Sequence, residues 1–428
     1  MDVSESVGIG LWQLPVVLVS LYRGIPSAML MMNYNFAASK TAFWCRNDTD
    51  DERNIVNGVV TNCDSWYFDH SVFSWTLVEE WNLVCERSWL RPLSQSLYLT
   101  GMLFGNLIFS HVSDRFGRKV SVLLSSAMML IFGFLGAFSS SLAMFNATRF
   151  LASLGTGGIQ STSVTLSATA LPFELRVLLS RSIGDEALLL AVRYLHFVQT
   201  WRLQLTIKII EAYGNFAYRF VPESPRWLLT RGRGESAMKE IRRAAKINKY
   251  LPPDLPQISK MFRHQGTGTR PKALTLFDLI KGPKLRIYTF VLWYTFFAQR
   301  ILYFHLSFAA ALIGGNVFLN YAIVQLMELP GKFLGILATI FFPRKICLIS
   351  FFFSAAIAFL LALAFSGDSI WGMVAICAVS MLFVSANLEL LCVYSAEVFP
   401  TSVRTMGVGS AYMASRVGSA LAPFVAGI

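Results

Sequence analysis

Two apolar runs of the chain are joined by Ser110-His111-Val112-Ser113-Asp114-Arg115-Phe116-Gly117-Arg118-Lys119. The runs, Leu93–Phe109 and Val120–Phe138, are each close to the roughly 20 apolar residues that a helix needs to cross a bilayer. The charged segment between them is therefore predicted to lie at a membrane surface, with Gly117 at its sharp turn. Short loops rich in Lys and Arg stay in the cytoplasm, so this loop is expected on the cytoplasmic side.

The composition of the whole chain agrees with a membrane protein. Of 428 residues, 54% are hydrophobic, and the mean hydropathy is +0.52. The net charge of +12 is concentrated in residues 223–286, which hold 15 Lys/Arg against 5 Asp/Glu. This local excess predicts a cytoplasmic loop near anionic lipid headgroups, and it argues against a nucleic-acid partner.

The N-terminal part predicts one span followed by an extracellular loop. The first span is expected over Leu11–Met32, interrupted by Arg23, with the N-terminus in the cytoplasm. Residues 33–91 are acidic and contain a glycosylation sequon at Asn47, both typical of an extracellular segment. Three cysteines of this region could form one disulfide with one thiol left over: Cys45, Cys63 and Cys85.

The next predicted helices differ in character. Helix four is expected over Ala143–Leu166, where three glycines favour close helix approach: Gly155, Gly157 and Gly158. Arg149, near the start of that helix, is expected to snorkel to the membrane interface. Helices five and six are expected over Ile183–Val198 and Leu203–Val221, but both carry charges. Either these charges line a cavity, or the region is not a normal pair of spans.

The second half of the chain follows the basic loop. An amphipathic helix is predicted within that loop, around Ser236–Lys249. Five further spans bring the total to about 11: Ile287–Leu306, Phe318–Phe341, Ile346–Phe365, Ile370–Tyr394 and Met406–Ile428. We therefore expect an N-terminal bundle over 1–222, a cytoplasmic loop over 223–286, and a C-terminal bundle over 287–428 that is incomplete because the chain stops within helix eleven.

A repeat relates the two halves. Pro and Arg have the same spacing in 169–176 and 397–404, and Arg118-Lys119 recurs as Arg344-Lys345. The offsets are 228 and 226 residues, which indicates the duplication of a six-helix unit. Parallel halves of this kind are the plan of the major facilitator fold.

Four segments resemble one transporter family. Asp114–Lys119 resembles the superfamily's loop between helices two and three, Pro222–Leu228 the motif after helix six, and Ser395–Arg404 the motif after helix ten. With Glu80–Cys85 in the first extracellular loop, the set resembles the organic cation, anion and carnitine transporter family, solute carrier family twenty-two of the major facilitator superfamily. The resemblance extends over nearly the whole chain.

The resemblance implies an all-α polytopic membrane protein with two six-helix bundles, here expected to lack the last helix. It also implies charged residues that control opening on the cytoplasmic side: Asp114, Arg115, Gly117, Arg118, Arg176, Glu397 and Arg404. Ser110 replaces the usual glycine of the loop motif, and Thr169 replaces an acidic residue in the first repeat. These departures predict weaker charge pairs, for which Glu174 could substitute.

The predicted substrate site lies between the halves. Lys332 and Arg416 resemble the cations of the family's anion-type members, and Arg binds a carboxylate bidentately. Lys332 is one helical turn from Glu328, so those two charges could instead neutralise one another. Tyr412, one turn before Arg416, could stack on its guanidinium.

Aromatic residues on helix seven complete the predicted site. Tyr303 and Phe304 resemble the paired aromatics that line the family's cavity and contact flat organic substrates. Arg300 shares their face and is either a third cation of the site or a local stabiliser.

These features predict a secondary transporter of small organic anions, which exchanges its substrate for a counter-anion at the plasma membrane. The sequence has no motif of an enzyme, a cofactor site or a metal site. Two alternatives remain at this point. One is a carrier of cations or of zwitterions such as carnitine, using Glu328. The other is a truncated homologue that does not transport and acts as a scaffold.

Overall fold

The computed structural model describes ten ranges of the chain: 10–22, 24–39, 41–45, 66–70, 75–170, 221–249, 276–313, 315–364, 370–400 and 403–426. Several sequence predictions fall outside these ranges. They concern Arg23, the sequon at Asn47, Cys63, Arg176 and nearly all of predicted helices five and six.

The described part of the first half consists of helices and one small sheet. Its described α-helices are α1 (Leu14–Tyr22), α2 (Gly24–Ala37), α3 (Leu77–Glu80), α4 (Leu90–Phe116), α5 (Arg118–Leu135) and α6 (Leu142–Ala170). Strands β1 (Phe43–Cys45) and β2 (Trp66–Phe68) pair antiparallel, with Trp44 opposite Tyr67. Beside the strands, in the segment predicted to be extracellular, lies a cluster of four buried side chains: Phe68, Val78, Leu83 and Val84. Cys85 in the same segment is a free thiol.

The charged segment that joins the first two apolar runs is mostly helical. The sequence predicted a polar hairpin over 110–119, but α4 continues through Ser110 and ends at Phe116. The turn consists of Gly117 alone, whose φ of 112° suits a residue without a side chain. The next helix begins directly at Arg118, so the loop is much tighter than the sequence predicted.

Glycines allow α4, α5 and α6 to pack backbone against backbone. A Cβ on Gly155 would lie 2.5 Å from the backbone nitrogen of Met129 and 2.6 Å from the carbonyl oxygen of Ser125, both on α5. A Cβ on Gly157 would meet the carbonyl of Met102 on α4. The close approach predicted from the three glycines of α6 is confirmed, and it holds the first half together by backbone contact.

The basic segment between the halves contains three described helices. They are α7 (Pro225–Thr230), α8 (Gly234–Asn248) and α9 (Leu276–Lys281). The prediction of an amphipathic helix is confirmed by α8, which buries Ala237, Ile241, Ala244 and Ala245 and exposes most of its charged residues. Asn248, at its end, accepts from the backbone of Trp12 through Oδ1 at 2.9 Å and thus fixes α8 to the start of the chain.

The second half has six described helices: α10 (Pro283–Leu312), α11 (Val317–Leu326), α12 (Glu328–Phe341), α13 (Arg344–Ala364), α14 (Ile370–Val398) and α15 (Arg404–Ala426). The single span predicted over Phe318–Phe341 is divided at Met327, although both helices follow one another directly. By length and hydropathy, four stretches of the described chain can cross a membrane: Arg118–Phe138, Val317–Phe341, Arg344–Leu361 and Ile370–Val398.

In the described part of the chain, contacts between the two halves occur in the middle and at one end. We call the end that carries Arg118 and Lys345 the basic end, and the end that carries Phe36 and Phe318 the opposite end. At the opposite end the rings of Phe36 and Phe318 stack with centroids 5.1 Å apart. Ser96 of α4 donates to the carbonyl oxygen of Ala420 on α15 at 2.5 Å. The two halves are therefore closed against each other at the opposite end.

Candidate substrate site between the halves

One glutamate, one lysine and one tyrosine form a connected group in the second half. Lys332 Nζ lies 3.1 Å from Glu328 Oε1, and Tyr303 donates its hydroxyl to Glu328 Oε2 at 3.1 Å. Glu328 is 7% exposed, so both contacts replace solvation that the carboxylate has lost. Of the two possibilities left open by the sequence, the local neutralisation of Lys332 by Glu328 is the arrangement in this structure.

Arg416 reaches from the second half into the first. Its guanidinium donates to Gln160 Oε1 on α6 at 2.8 Å and approaches Met102 Sδ on α4 at 3.2 Å. Both partners are neutral, so neither of them compensates the positive charge of this arginine. Gly418 lies half a turn further along α15. A Cβ at this position would lie 2.5 Å from the carbonyl oxygen of Phe297, so α15 and α10 are in close contact here.

Arg300 and Tyr412 lie near Arg416. The Arg300 guanidinium carbon is 5.7 Å from the centroid of the Tyr303 ring, and its Nε is buried without a hydrogen-bond partner. Arg300 also interacts electrostatically with Arg416 and with Tyr412. Like charges in an apolar interior repel each other, which favours an anionic group near them.

Tyr412 contacts other groups than the sequence predicted. Its ring lies against Phe296 with centroids 5.3 Å apart, and its hydroxyl donates to Cys392 Sγ at 2.9 Å. The Tyr412 ring therefore packs against the Phe296 ring, and not on the guanidinium of Arg416 as the sequence predicted. The side chain is 38% exposed and interacts electrostatically with Glu389 of α14.

The predicted aromatic pair of helix seven is buried. Tyr303 is 7% exposed and Phe304 is 2% exposed, and their rings meet edge to face at 5.4 Å. Both belong to the core cluster that joins the two halves. In this closed arrangement a substrate could reach them only after the surrounding helices move.

At the basic end, a glutamate binds the start of α5. Glu223 accepts the backbone N–H of Arg118 at 3.0 Å and that of Lys119 at 3.2 Å. An acid at a helix N-terminus satisfies unpaired N–H groups and complements the helix dipole. The end of α4 is held as well, because Trp227 Nε1 and Arg231 both donate to the carbonyl oxygen of Asp114.

The other predicted gating residues are distributed over both halves. Arg118 donates its side chain to the carbonyl oxygen of Thr165 on α6 at 2.6 Å. In the second half, Arg344 pairs with Glu397 at 2.9 Å. Arg115 is exposed, and Arg404 begins α15. Each of these contacts links helices within one half.

Arg149 lies inside the first half, and the prediction that it snorkels to the interface is wrong. It donates to Gln95 Oε1 at 2.8 Å. Its guanidinium carbon is 4.3 Å from the ring centroid of Tyr34 and 4.9 Å from that of Tyr98. Three side chains of α2 and α4 thus enclose a cation that the sequence alone would place at the surface.

Comparison with known proteins identifies the family. The sequence profile of the sugar (and other) transporter family matches residues 28–428. The "Organic cation transporter protein" of Drosophila melanogaster is 30% identical over 395 residues, which cover 88% of this chain and 72% of that protein. "Solute carrier family 22 member 21" and "Organic cation/carnitine transporter 2" of Mus musculus are each 31% identical and cover 85% and 84% of this chain. The chain belongs to solute carrier family 22 of the major facilitator superfamily.

Solved structures agree with this fold. The partially occluded inward-open xylose transporter XylE from E. coli matches with a TM-score of 0.65 and 18% identity, over 99% of this chain and 91% of that one. The all-helical major facilitator fold predicted from the repeat is thus confirmed. Solute carrier family 22 consists of transporters, which agrees with the prediction that the chain is not an enzyme. The chain spans 66% of the length of the two mouse relatives.

Sequence reasoning missed three residues of these sites. Gln160 was a single amide among the small residues of α6, and Met102 was one apolar residue among many. Glu223 was recognised only as part of a family motif, although an acid just before a helix is a usual partner of free N–H groups. Among the three, only Glu223 gave a local signal, but its target helix begins 105 residues earlier in the chain.

Proposed function

We propose that this member of solute carrier family 22 transports small organic zwitterions, molecules that join a carboxylate to a quaternary ammonium as carnitine does. One observation carries the proposal: both signs of charge meet around Tyr412. Arg300 and Arg416 supply positive charge there, and Glu389 supplies negative charge. The names of two mammalian relatives, both organic cation/carnitine transporters, support the same class of substrate.

Arg416 would bind the carboxylate of the substrate. Its present partners are an amide oxygen and a thioether, which are weaker acceptors than a carboxylate. A carboxylate could accept two parallel N–H groups of the guanidinium, and it would also relieve the repulsion between Arg416 and Arg300. Because Gln160 and Met102 belong to the first half, substrate binding would change the contact between the halves.

The ammonium would lie beside Tyr412 and Glu389. Tyr412 offers a partly exposed aromatic ring, and a quaternary ammonium is attracted to such a ring by about 0.5–2 kcal/mol. Glu389 contributes charge of the opposite sign. Glu328 is a weaker candidate for this role than the sequence suggested, since its carboxylate already has Lys332 and Tyr303 as partners.

Small organic anions, exchanged for a counter-anion, are the second candidate substrate class. The site has three cations and two acids, which leaves an excess of positive charge. The cations are Arg300, Lys332 and Arg416, and the acids are Glu328 and Glu389. In that case the apolar body of the anion would contact Tyr303 and Phe304 after opening. An anion carrier requires no group for an ammonium, so substrate charge separates the two candidates.

Transport would use alternating access, in which the halves separate at one end and close at the other. The contacts of Arg118, Glu223 and Asp114 at the basic end, and the Arg344–Glu397 pair, would hold each half rigid as it moves. Asp114, Arg115, Gly117, Arg176 and Arg404 remain proposed members of this gating region.

Uptake of three labelled solutes by cells that express the chain tests the proposal. The solutes are L-carnitine, tetraethylammonium without a carboxylate, and p-aminohippurate without a fixed cation. We expect saturable uptake that is highest for carnitine. Arg416→Gln should raise the KM for carnitine about 10- to 100-fold, the loss expected for one charged hydrogen-bonded contact. Lys284→Gln, which removes an exposed cation at the start of α10, is the matched control and should leave KM unchanged.

The other outcomes each select an alternative. A preference for p-aminohippurate that is lost in Arg416→Gln would favour the anion carrier. A preference for tetraethylammonium that does not change in Arg416→Gln would contradict the carboxylate site. If none of the three solutes enters although surface labelling detects the chain, the proposal fails, and the scaffold role becomes the better explanation.

A further inference from the structure

A groove on the outer surface of the second half has the shape and charge of a lipid site. It has a volume of about 500 Å³ and lies between α10, α13 and α14. Its walls are almost entirely apolar, with Val291, Leu292, Phe353 and Leu391 among the lining residues. Arg416 and Lys332 do not line it, so it is separate from the proposed substrate site.

One cation marks one end of this groove. Lys345 is exposed in the first turn of α13, at the basic end. Its neighbour Arg344 is already paired with Glu397, whereas Lys345 contributes to the groove wall. The groove therefore runs from a positive charge at the membrane surface into an apolar interior.

The length of the groove matches one leaflet of a bilayer. On α13 it is lined by Lys345, Ile349, Phe353 and Ala356, which are spaced to lie on one face of the helix. From Lys345 to Ala356 the helix rises about 16 Å, at 1.5 Å per residue. The hydrocarbon core is about 30 Å thick, so the groove reaches from one surface to about the midplane.

We propose that this groove binds one anionic phospholipid, with an acyl chain against α13 and the headgroup phosphate on Lys345. A phospholipid has the required chemistry: an anionic head, an apolar chain, and the length of one leaflet. If the basic end faces the cytoplasm, as the charge distribution predicts, the adjacent leaflet is the one that carries anionic lipids. The site does not depend on the substrate proposed above.

Native mass spectrometry of the purified chain in detergent tests this inference, with added phosphatidylserine, phosphatidylcholine or glycerophosphoserine. We expect one tightly retained phosphatidylserine, bound more strongly than phosphatidylcholine. Lys345→Gln should reduce that preference about fivefold, the effect of one basic residue near a membrane surface. Ala356→Trp, which fills the groove, should remove retention of both lipids. Two matched controls should behave as wild type: Lys239→Gln on α8, and Ala143→Trp at an exposed position of α6.

Three results would overturn the inference. Equal retention of phosphatidylserine by wild type, Lys345→Gln and Ala356→Trp would place the lipid elsewhere. Competition by glycerophosphoserine as effective as that by the whole lipid would show a phosphate site without a chain. A dimer that dissociates in Ala356→Trp, with no lipid retained by the wild type, would assign the groove to a second copy of this chain.

Discussion

Lys332 and Glu328 form an ion pair inside the second half. Lys332 is 15% exposed, and its partner Glu328 is 9% exposed, in side-chain terms. Charges removed from water in this way are costly unless they are paired. The same ion-pair chemistry occurs between Arg344 and Glu397, where both side chains are 42% exposed. The two pairs therefore provide a natural comparison between buried and exposed charge.

Removal of the carboxylate from each pair should have different consequences. Glu328→Gln keeps an acceptor for Tyr303 but removes the carboxylate that pairs with the buried ammonium of Lys332, so we expect a loss of about 3 kcal/mol in stability. Glu397→Gln should cost less than about 1 kcal/mol, since exposed pairs contribute little. Thermal unfolding of the purified variants in detergent measures the difference. Glu328→Gln combined with Lys332→Met should recover most of the loss, and failure to recover would contradict an electrostatic cause.

Residues close in sequence were predictable at this scale, and residues distant in sequence were not. Lys332 and Glu328 are four apart on one helix, so their pairing follows from helical periodicity. The contact between Arg416 and Gln160 joins positions 256 residues apart. No local pattern encodes such a contact, because it depends on how two bundles meet. Arg149 illustrates the same limit, since its aromatic surroundings come from two other helices.

At the scale of helices, glycine positions determine which elements can touch. Gly155 approaches α5 so closely that an added Cβ would lie 2.5 Å from a backbone nitrogen. Backbone atoms cannot rotate away as a side chain can, so the two helices would have to separate. In contrast, a Cβ on Gly409 of α15 would have no atom within 4 Å.

Gly155→Ala should therefore destabilise the first half by about 1–3 kcal/mol, the cost of overpacking a well-packed core. Gly409→Ala is the matched control, and it should be neutral or slightly stabilising because Ala is the better helix former. The melting temperature of each variant in detergent, and its yield at the cell surface, measure the effect. Equal behaviour of the two variants would show that α5 and α6 can separate without cost.

Helices were predicted well where the sequence has a strong apolar pattern and poorly where polar residues continue a helix. The apolar run that forms α14 was predicted from its hydropathy, and α8 was predicted from its polar and apolar faces. The segment 110–119 was predicted as a polar hairpin, yet its first seven residues, Ser110–Phe116, continue α4. Polarity shows where a helix leaves the apolar layer, but a helix ends where a residue such as Gly117 allows the chain to turn.

For the molecule as a whole, closure at the opposite end is the main conformational fact. The stacked rings of Phe36 and Phe318 and the contact from Ser96 to Ala420 connect the two halves there. Arg416 adds a contact in the middle of the interface. The sequence repeat predicted two similar halves. It does not predict which end of the interface between them is closed.

Alternating access requires that the opposite end open during transport, and a reversible covalent link can test this. The Ser96 hydroxyl and the Ala420 carbonyl oxygen are 2.5 Å apart, so the two helices approach closely here, and Ser96→Cys with Ala420→Cys is the pair to test for a disulfide. Oxidation should then abolish uptake of the transported solute, and a reductant should restore it, because the link prevents the halves from separating at that end. The single variants should be insensitive to oxidation, and mass spectrometry of the linked peptides gives the extent of the reaction. Full uptake by a completely linked protein would mean that the opposite end stays closed throughout transport, and the rocking mechanism would not apply to this chain.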